Sequence, residues 1–229
     1  MTTQQPNGTR QDGTGQRYHV LVKKLTRRFE KAAKFRSKRY DLFVRCIKPR
    51  KGETILDVGS DTGEFLETFV GRDYNVIALD INPKALIKLK EKYPHIETVQ
   101  GDATQLPFPD KSFDIVISNS VIEHLSHPEK TAKMASEIRR VAKRYFVQTP
   151  YKYFPIDPHF LLPYFSMWPH KIKLFLSDRF PVGHYKRGGI RHDNPILLSA
   201  RQFAALFPDA TIIKEKCLFL TKSLIAVKE

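Results

Sequence analysis

The chain has 229 residues, 41% of them hydrophobic, which suffices for one substantial α/β domain with its own core and is too short for two large ones. That apolar content excludes a disordered binder, and two distant cysteines, Cys46 and Cys217, exclude a disulfide framework and read as buried thiols of an intracellular protein. The net charge of +15 is concentrated: fourteen Lys or Arg against Glu30 and Asp41 fall between Arg17 and Lys51.

Residues 1–16, MTTQQPNGTRQDGTGQ, are polar, lack the apolar core of a secretory signal and read as a disordered tail. Residues 17–51 read as a basic helical cap. Leu21, Leu25 and Phe29 recur every fourth position and continue to Ala32, and a second helical stretch, Tyr40 to Ile47, ends before Pro49. So basic a segment favours an anionic partner such as nucleic acid, acidic lipid headgroups or a phosphate-bearing substrate; a solvated helix face is the plainer alternative. No run approaches the roughly 18–20 apolar residues of a membrane span, so the expectation is a cytoplasmic protein that is soluble, or attached to a membrane only at its surface.

From residue 52 to 229 a single domain is expected. Strands are predicted over Thr54–Val58, Asn75–Asp80, Ile96–Gln100, Phe113–Asn119 and Tyr145–Thr149, with helices at 63–70, 83–92 and 128–142 between them. Pro83 and Pro128 fall where helix starts tolerate proline. This alternation predicts a doubly wound, mostly parallel sheet of Rossmann-like type with helices on both faces. Two last strands, 210–216 and 217–227, follow without a helix between them, which makes the final one antiparallel. Residues 150–197, crowded with prolines, aromatics and histidines, break the rhythm and read as a substrate-side insertion. Tyr151, Tyr153, Phe154, Phe160, Tyr164, Phe165 and Trp168 within it suit the wall of an apolar or sugar-binding pocket, a membrane interface, or a satellite core.

The run ILDVGSDTG puts Asp57 at the end of a buried strand and glycines at the turn into the next segment, where open sheets bind ligands. Asp80 ends the second strand, where an acid accepts hydrogen bonds from ribose hydroxyls. A nicotinamide site would need G-x-G-x-x-G, but Gly59 and Gly63 are separated by Ser-Asp-Thr and no third glycine follows in place.

Together ILDVGSDTGEF, ALDINP and GDATQLPFPDKSFDIVISNSVIEHL resemble, in order, the motifs of class I S-adenosylmethionine-dependent methyltransferases, of the methyltransferase type 11 kind. The resemblance covers residues 52 to about 149 and implies a seven-stranded sheet with S-adenosyl-L-methionine as cofactor. It implies that Asp57, Gly59, Ser60, Asp61 and Gly63 surround the methionine part. Asp80 and Ile81 would meet the ribose side, Asp102 and Ala103 the adenine, and Asn119 would lie near the sulfonium. Asp61 stands where the family usually has glycine; aspartate tolerates the left-handed conformation better than most residues but adds a charge.

Glu123 and His124 follow the fourth strand, and His159 lies in the insertion; all three are candidate catalytic residues, a histidine being a natural base toward a hydroxyl. Related metal-dependent methyltransferases carry E-x-x-E-H, but Ser120 replaces the first acid, so no metal is expected. The expected reaction is methyl transfer to a small or lipid- or sugar-linked acceptor, at oxygen. RNA methylation using the basic segment, with nucleic acid the weaker partner, and a non-catalytic adaptor on the same fold are the alternatives. Oligomeric state has no signal in the sequence.

Overall fold

In the computed structural model, the described residues are 37–69, 71–125, 127–155, 168–179, 195–217 and 219–229. The chain divides into two units, Met1–Leu42 and Phe43–Glu229. Helix α1 covers residues 37–47; the predicted tail and the first predicted helix lie outside the described residues.

The second unit is built on seven strands: β1 (Thr54–Val58), β2 (Asn75–Asp80), β3 (Glu97–Gln100), β4 (Phe113–Asn119), β5 (Ala142–Pro150), β6 (Thr211–Cys217) and β7 (Leu220–Lys228). Their order is β3-β2-β1-β4-β5-β7-β6. β1 pairs in parallel with β2 and with β4, and β5 pairs in parallel with β4. β7 runs antiparallel to both β5 and β6, as the absence of a helix before it predicts. Ile55, Leu56 and Val58 of β1 are fully buried, as a central parallel strand covered on both faces requires.

Helices α2 (Pro83–Lys92) and α3 (Pro128–Val141) each begin on the predicted proline. Asn82 caps α2 by accepting from the Lys84 N–H at 3.1 Å. In α3, Thr131, Met134, Ala135, Ile138 and Val141 are buried at helical spacing, and the last four join Leu56, Val116 and Tyr145 in the core. α4 (His170–Arg179) lies within the stretch read as an insertion. α5 (Ala200–Leu206), which is not among the predicted helices, starts on a capping box between Ser199 and Gln202.

Three expectations need correction. Residues 63–70 do not form an α-helix: turns lead into one 3-10 turn, Leu66–Thr68. Phe65, Leu66 and Phe69 are all buried there, with the Phe69 ring edge-on to both Phe65 and Phe43. The Thr68 hydroxyl donates back to the Phe65 carbonyl at 2.7 Å and satisfies the turn locally. β5 is longer than predicted because α3 passes into it without a loop: Ala142 already pairs with Phe113, and Pro150 still pairs with Ser223. Cys46 and Cys217 are free, and both are half-buried rather than buried.

Candidate functional site

In this strand order the connections from β1 run one way, to β2 and β3, while those from β4 run the other, to β5. The crevice outside the carboxyl ends of β1 and β4 is therefore the topological switch point, where open α/β sheets bind ligands. A cavity of about 640 Å³ opens there. It is lined by residues from the ends of four strands: Gly59 and Asp61 after β1; Asp80, Ile81 and Asn82 at β2; Asp102 and Ala103 after β3; Ser120, Val121 and His124 after β4. A larger cavity, about 810 Å³, lies at the amino ends of β1, β2 and β3 and is lined by none of the predicted site residues.

The turn after β1 is held by β2. The Gly59 and Ser60 N–H groups both donate to the Leu79 carbonyl, at 2.8 and 3.1 Å. Gly59 has φ +78°, and a Cβ there would lie 2.4 Å from Val121 Cγ2, so glycine is needed both for conformation and for space. Gly63 has φ +77° and is buried against Tyr93 and Leu89. Asp61, at φ +45°, takes the left-handed conformation that aspartate tolerates better than most residues, and it is exposed at the cavity.

Asp80 Oδ2 accepts from the Asp61 N–H and Oδ1 from the Asn82 N–H, both at 2.8 Å. Each carboxylate oxygen has a second lone-pair direction, so both retain capacity for a ligand hydroxyl. Ile81, next to it, is exposed at the rim, a large apolar side chain with a face to offer an aromatic ring. Asp102 Oδ1 accepts from the Thr104 N–H at 2.7 Å, and that bond, ahead of all else, holds its carboxyl below the usual carboxylate range. Asp57 is buried beneath the turn, and burial, reinforced by the charge of Asp80, pushes its carboxyl up to about 7. Asp57, Ser60, Gly63 and Asn119 thus shape or adjoin the site without lining the cavity.

After β4, Ser120 is left-handed at φ +58° and tied to Gln148 of β5 twice, through its N–H to the Gln148 carbonyl and its hydroxyl to Oε1. The chain then forms a 3-10 turn, Ile122–His124. Glu123 is fully buried and turned into the sheet, Oε2 accepting from Thr149 Oγ1 at 3.0 Å, while its carbonyl accepts from the Ile196 N–H at 2.7 Å. His124 is exposed and faces the cavity. His159 lies outside the described residues. Tyr151 bridges to Leu198, and the Lys152 N–H donates to the Leu198 carbonyl, so both described ends of the 150–197 stretch leave the sheet on the carboxyl side.

Sequence reasoning missed the clamp on the loop after β3. The Arg140 guanidinium donates to Glu137, to Asp110 and to the carbonyls of Leu106 and Phe108 at 2.8–3.1 Å, and Glu137 accepts from the Leu106 N–H. An arginine and a glutamate three apart on an amphipathic helix look like a surface pair; only the fold brings that loop to them.

The groups present fit an adenosyl cofactor with a cationic centre: carboxylates at the ends of β2 and β3, an apolar rim residue, and no Lys or Arg among the described lining residues. The fold and the placing of the cavity resemble those of class I methyltransferase domains, a class whose cofactor is S-adenosylmethionine. Residues 56–145 match the family model described as a methyltransferase domain. The chain is 34% identical over 102 residues to a demethylmenaquinone methyltransferase of Renibacterium salmoninarum, covering 44% of this chain and 42% of that protein. It is 27% identical over 114 residues to a probable S-adenosylmethionine-dependent methyltransferase of Mycobacterium tuberculosis, covering 49% and 42%. The match therefore spans less than half the length of these relatives. Among solved structures, an S-adenosylmethionine-dependent methyltransferase from Methanosarcina mazei shares the fold with TM-score 0.56 at 15% identity, over 79% of this chain and 94% of that one. One from Aquifex aeolicus does so with TM-score 0.53 at 17% identity, over 82% and 87%.

Proposed function

We propose that the chain transfers a methyl group from S-adenosylmethionine to a hydroxyl oxygen of a small acceptor, lipid- or sugar-linked. The observation that carries the reading is one cavity, at the switch point, that unites Asp80, Asp102 and the imidazole of His124. When bound, the cofactor supplies an electrophilic methyl group on a sulfonium sulfur. Asp80 accepts from its ribose hydroxyls, Ile81 covers the base, and Asp102 with Ala103 meets the adenine edge. Ser120 and Val121 wall the side toward β4 and help exclude water from the cavity.

His124 takes the proton of the acceptor hydroxyl; alignment of acceptor and donor supplies most of the acceleration. Glu123 acts as a positioning residue rather than a base, since it fixes the turn that presents His124 by bonds to Thr149 and Ile196. His159 is the alternative base. The aromatic stretch around Tyr151 and Tyr153 offers apolar surface to the acceptor.

Two other readings each have an observation in their favour. Methylation at carbon draws on relatives named for it, such as a ubiquinone/menaquinone biosynthesis C-methyltransferase of Citrobacter koseri, 31% identical over 113 residues. RNA methylation draws on the basic segment 17–51. The test is transfer of labelled methyl from S-adenosylmethionine into separated pools of lipid, soluble metabolites and RNA. Label in an alkali-stable methyl ether of the lipid or metabolite pool is expected, reduced about 100-fold by His124→Ala. Label confined to RNA, or to a carbon-bound methyl, overturns the oxygen reading.

A further inference from the structure

The cavity carries a charge opposite to that of the chain. The protein is +15 overall, yet the cavity is lined by Asp61, Asp80 and Asp102, with His124 the only basic residue among the described lining residues. Two of these acids are forced together, because the Asp61 N–H donates to Asp80 Oδ2 at 2.8 Å and so brings the residue that bears a second carboxylate against the first. Asp61 is exposed at the cavity and adopts φ +45°, a conformation that glycine would take without strain. The chain thus keeps a side chain, and a negative one, at a turn position that favours none. Its backbone geometry is no reason for it, since the N–H bond to Asp80 needs only the main chain.

We infer that Asp61 is a specificity-determining residue that makes the cavity prefer the cationic cofactor S-adenosylmethionine over its spent, sulfonium-free form, S-adenosylhomocysteine. The inference rests on the cofactor reading above. The two molecules share adenine, ribose and amino-acid groups, so Asp80, Ile81, Asp102 and Ala103 hold both alike. They differ by one methyl and one positive charge, and only a group that senses the charge separates them. A carboxylate at the cavity wall does so over several ångströms, and its effect is screened by salt because Asp61 is exposed. The consequence for the reaction is release of the neutral product without competition for the charged donor.

The test is calorimetric titration of the full chain with each cofactor form, at low and high salt, for the wild type, Asp61→Asn and Asp61→Gly, with circular dichroism to check each fold. Asparagine keeps the shape and tolerates the left-handed conformation. It is expected to weaken S-adenosylmethionine about fivefold while leaving S-adenosylhomocysteine within about twofold, and the wild-type preference shrinks in high salt. Equal changes for both forms, or none, overturn the inference and leave the cofactor reading intact. Tighter binding of both forms by Asp61→Gly also overturns it, since the side chain is then an obstruction. If the wild type binds neither form at millimolar concentration, the cofactor reading itself fails and the inference with it.

Discussion

At the scale of single residues the site depends on one glycine that has no room to be anything else. Gly59 combines φ +78° with Val121 Cγ2 at 2.4 Å from where a Cβ would stand. Gly59→Ala should therefore cost about 2–5 kcal/mol, the left-handed penalty plus overpacking against the segment after β4. Gly52→Ala is the control, at the same φ of +78° with nothing within 4 Å, and should cost only about 1–2 kcal/mol in the same urea titration. Asp57 makes a second prediction. Its folded carboxyl sits at about 7 against an ordinary 3.8. Below pH 3.8 both folded and unfolded chains hold the proton; between there and about 7 only the folded chain does. Stability from this group therefore falls as pH rises through that window, by about 1.4 kcal/mol per pH unit, and is level above it. Asp57→Asn should remove that slope, so the difference in unfolding free energy between variant and wild type grows in the variant's favour from pH 4 to pH 7 and then stops; a difference independent of pH would refute the assignment.

At the scale of elements, the parts that read correctly are those whose signals are local. Pro83 and Pro128 start α2 and α3, and the β-branched runs of β1, β2 and β4 became strands at the expected residues. The failures came where packing outweighs pattern: residues 63–70 carry apolar spacing suited to a helix, but three buried side chains and the Thr68 back-bond draw them into a 3-10 turn. α5 is only seven residues and too short for periodicity to declare itself, although its capping box was visible in Ser199 and Gln202. The site divides in the same way. Asp80, Asp102 and Gly59 sit at strand ends within motifs and were legible, whereas Val121, Ser120 and the Leu79 carbonyl acquire their roles from strand register, which no single segment encodes. Arg140 is the clearest case, and it yields a prediction at this scale. It joins α3 to the loop after β3 through Asp110 and the Leu106 and Phe108 carbonyls, while Glu137 of the same helix holds its guanidinium. Arg140→Ala leaves the Leu106 and Phe108 carbonyls unpaired, with an expected loss of about 1–3 kcal/mol, and it frees the loop that carries Asp102 and Ala103. Hydrogen exchange should speed up over 101–110 while β1 and β4 stay protected; uniform protection across the loop would show that the clamp is dispensable.

At the scale of the whole molecule, the chain is +15, yet the described lining of the cavity carries Asp61, Asp80 and Asp102 and no Lys or Arg. That lining agrees with the glycine spacing, which lacks the third glycine of a nicotinamide site. A nicotinamide dinucleotide would set a doubly negative pyrophosphate beside Asp61 and Asp80, whereas S-adenosylmethionine brings a net positive charge. The cavity draws on the ends of four strands, so a ligand that fills it ties β1, β2, β3 and β4 together and binds only the folded chain. At a hundredfold excess over its Kd such a ligand adds about 2.7 kcal/mol of stability, which for a chain of this size corresponds to roughly 5–10 °C in Tm. S-adenosylmethionine should therefore raise the melting temperature by that amount at saturation, and a nicotinamide dinucleotide at the same concentration should leave it unchanged. Stabilisation by the dinucleotide would mean that a cationic group from outside the described residues reaches the cavity and reverses its sign. The acceptor has no such lever in the sequence: the aromatics of the 150–197 stretch suit several chemistries equally, so it must be sought by methyl transfer rather than by charge.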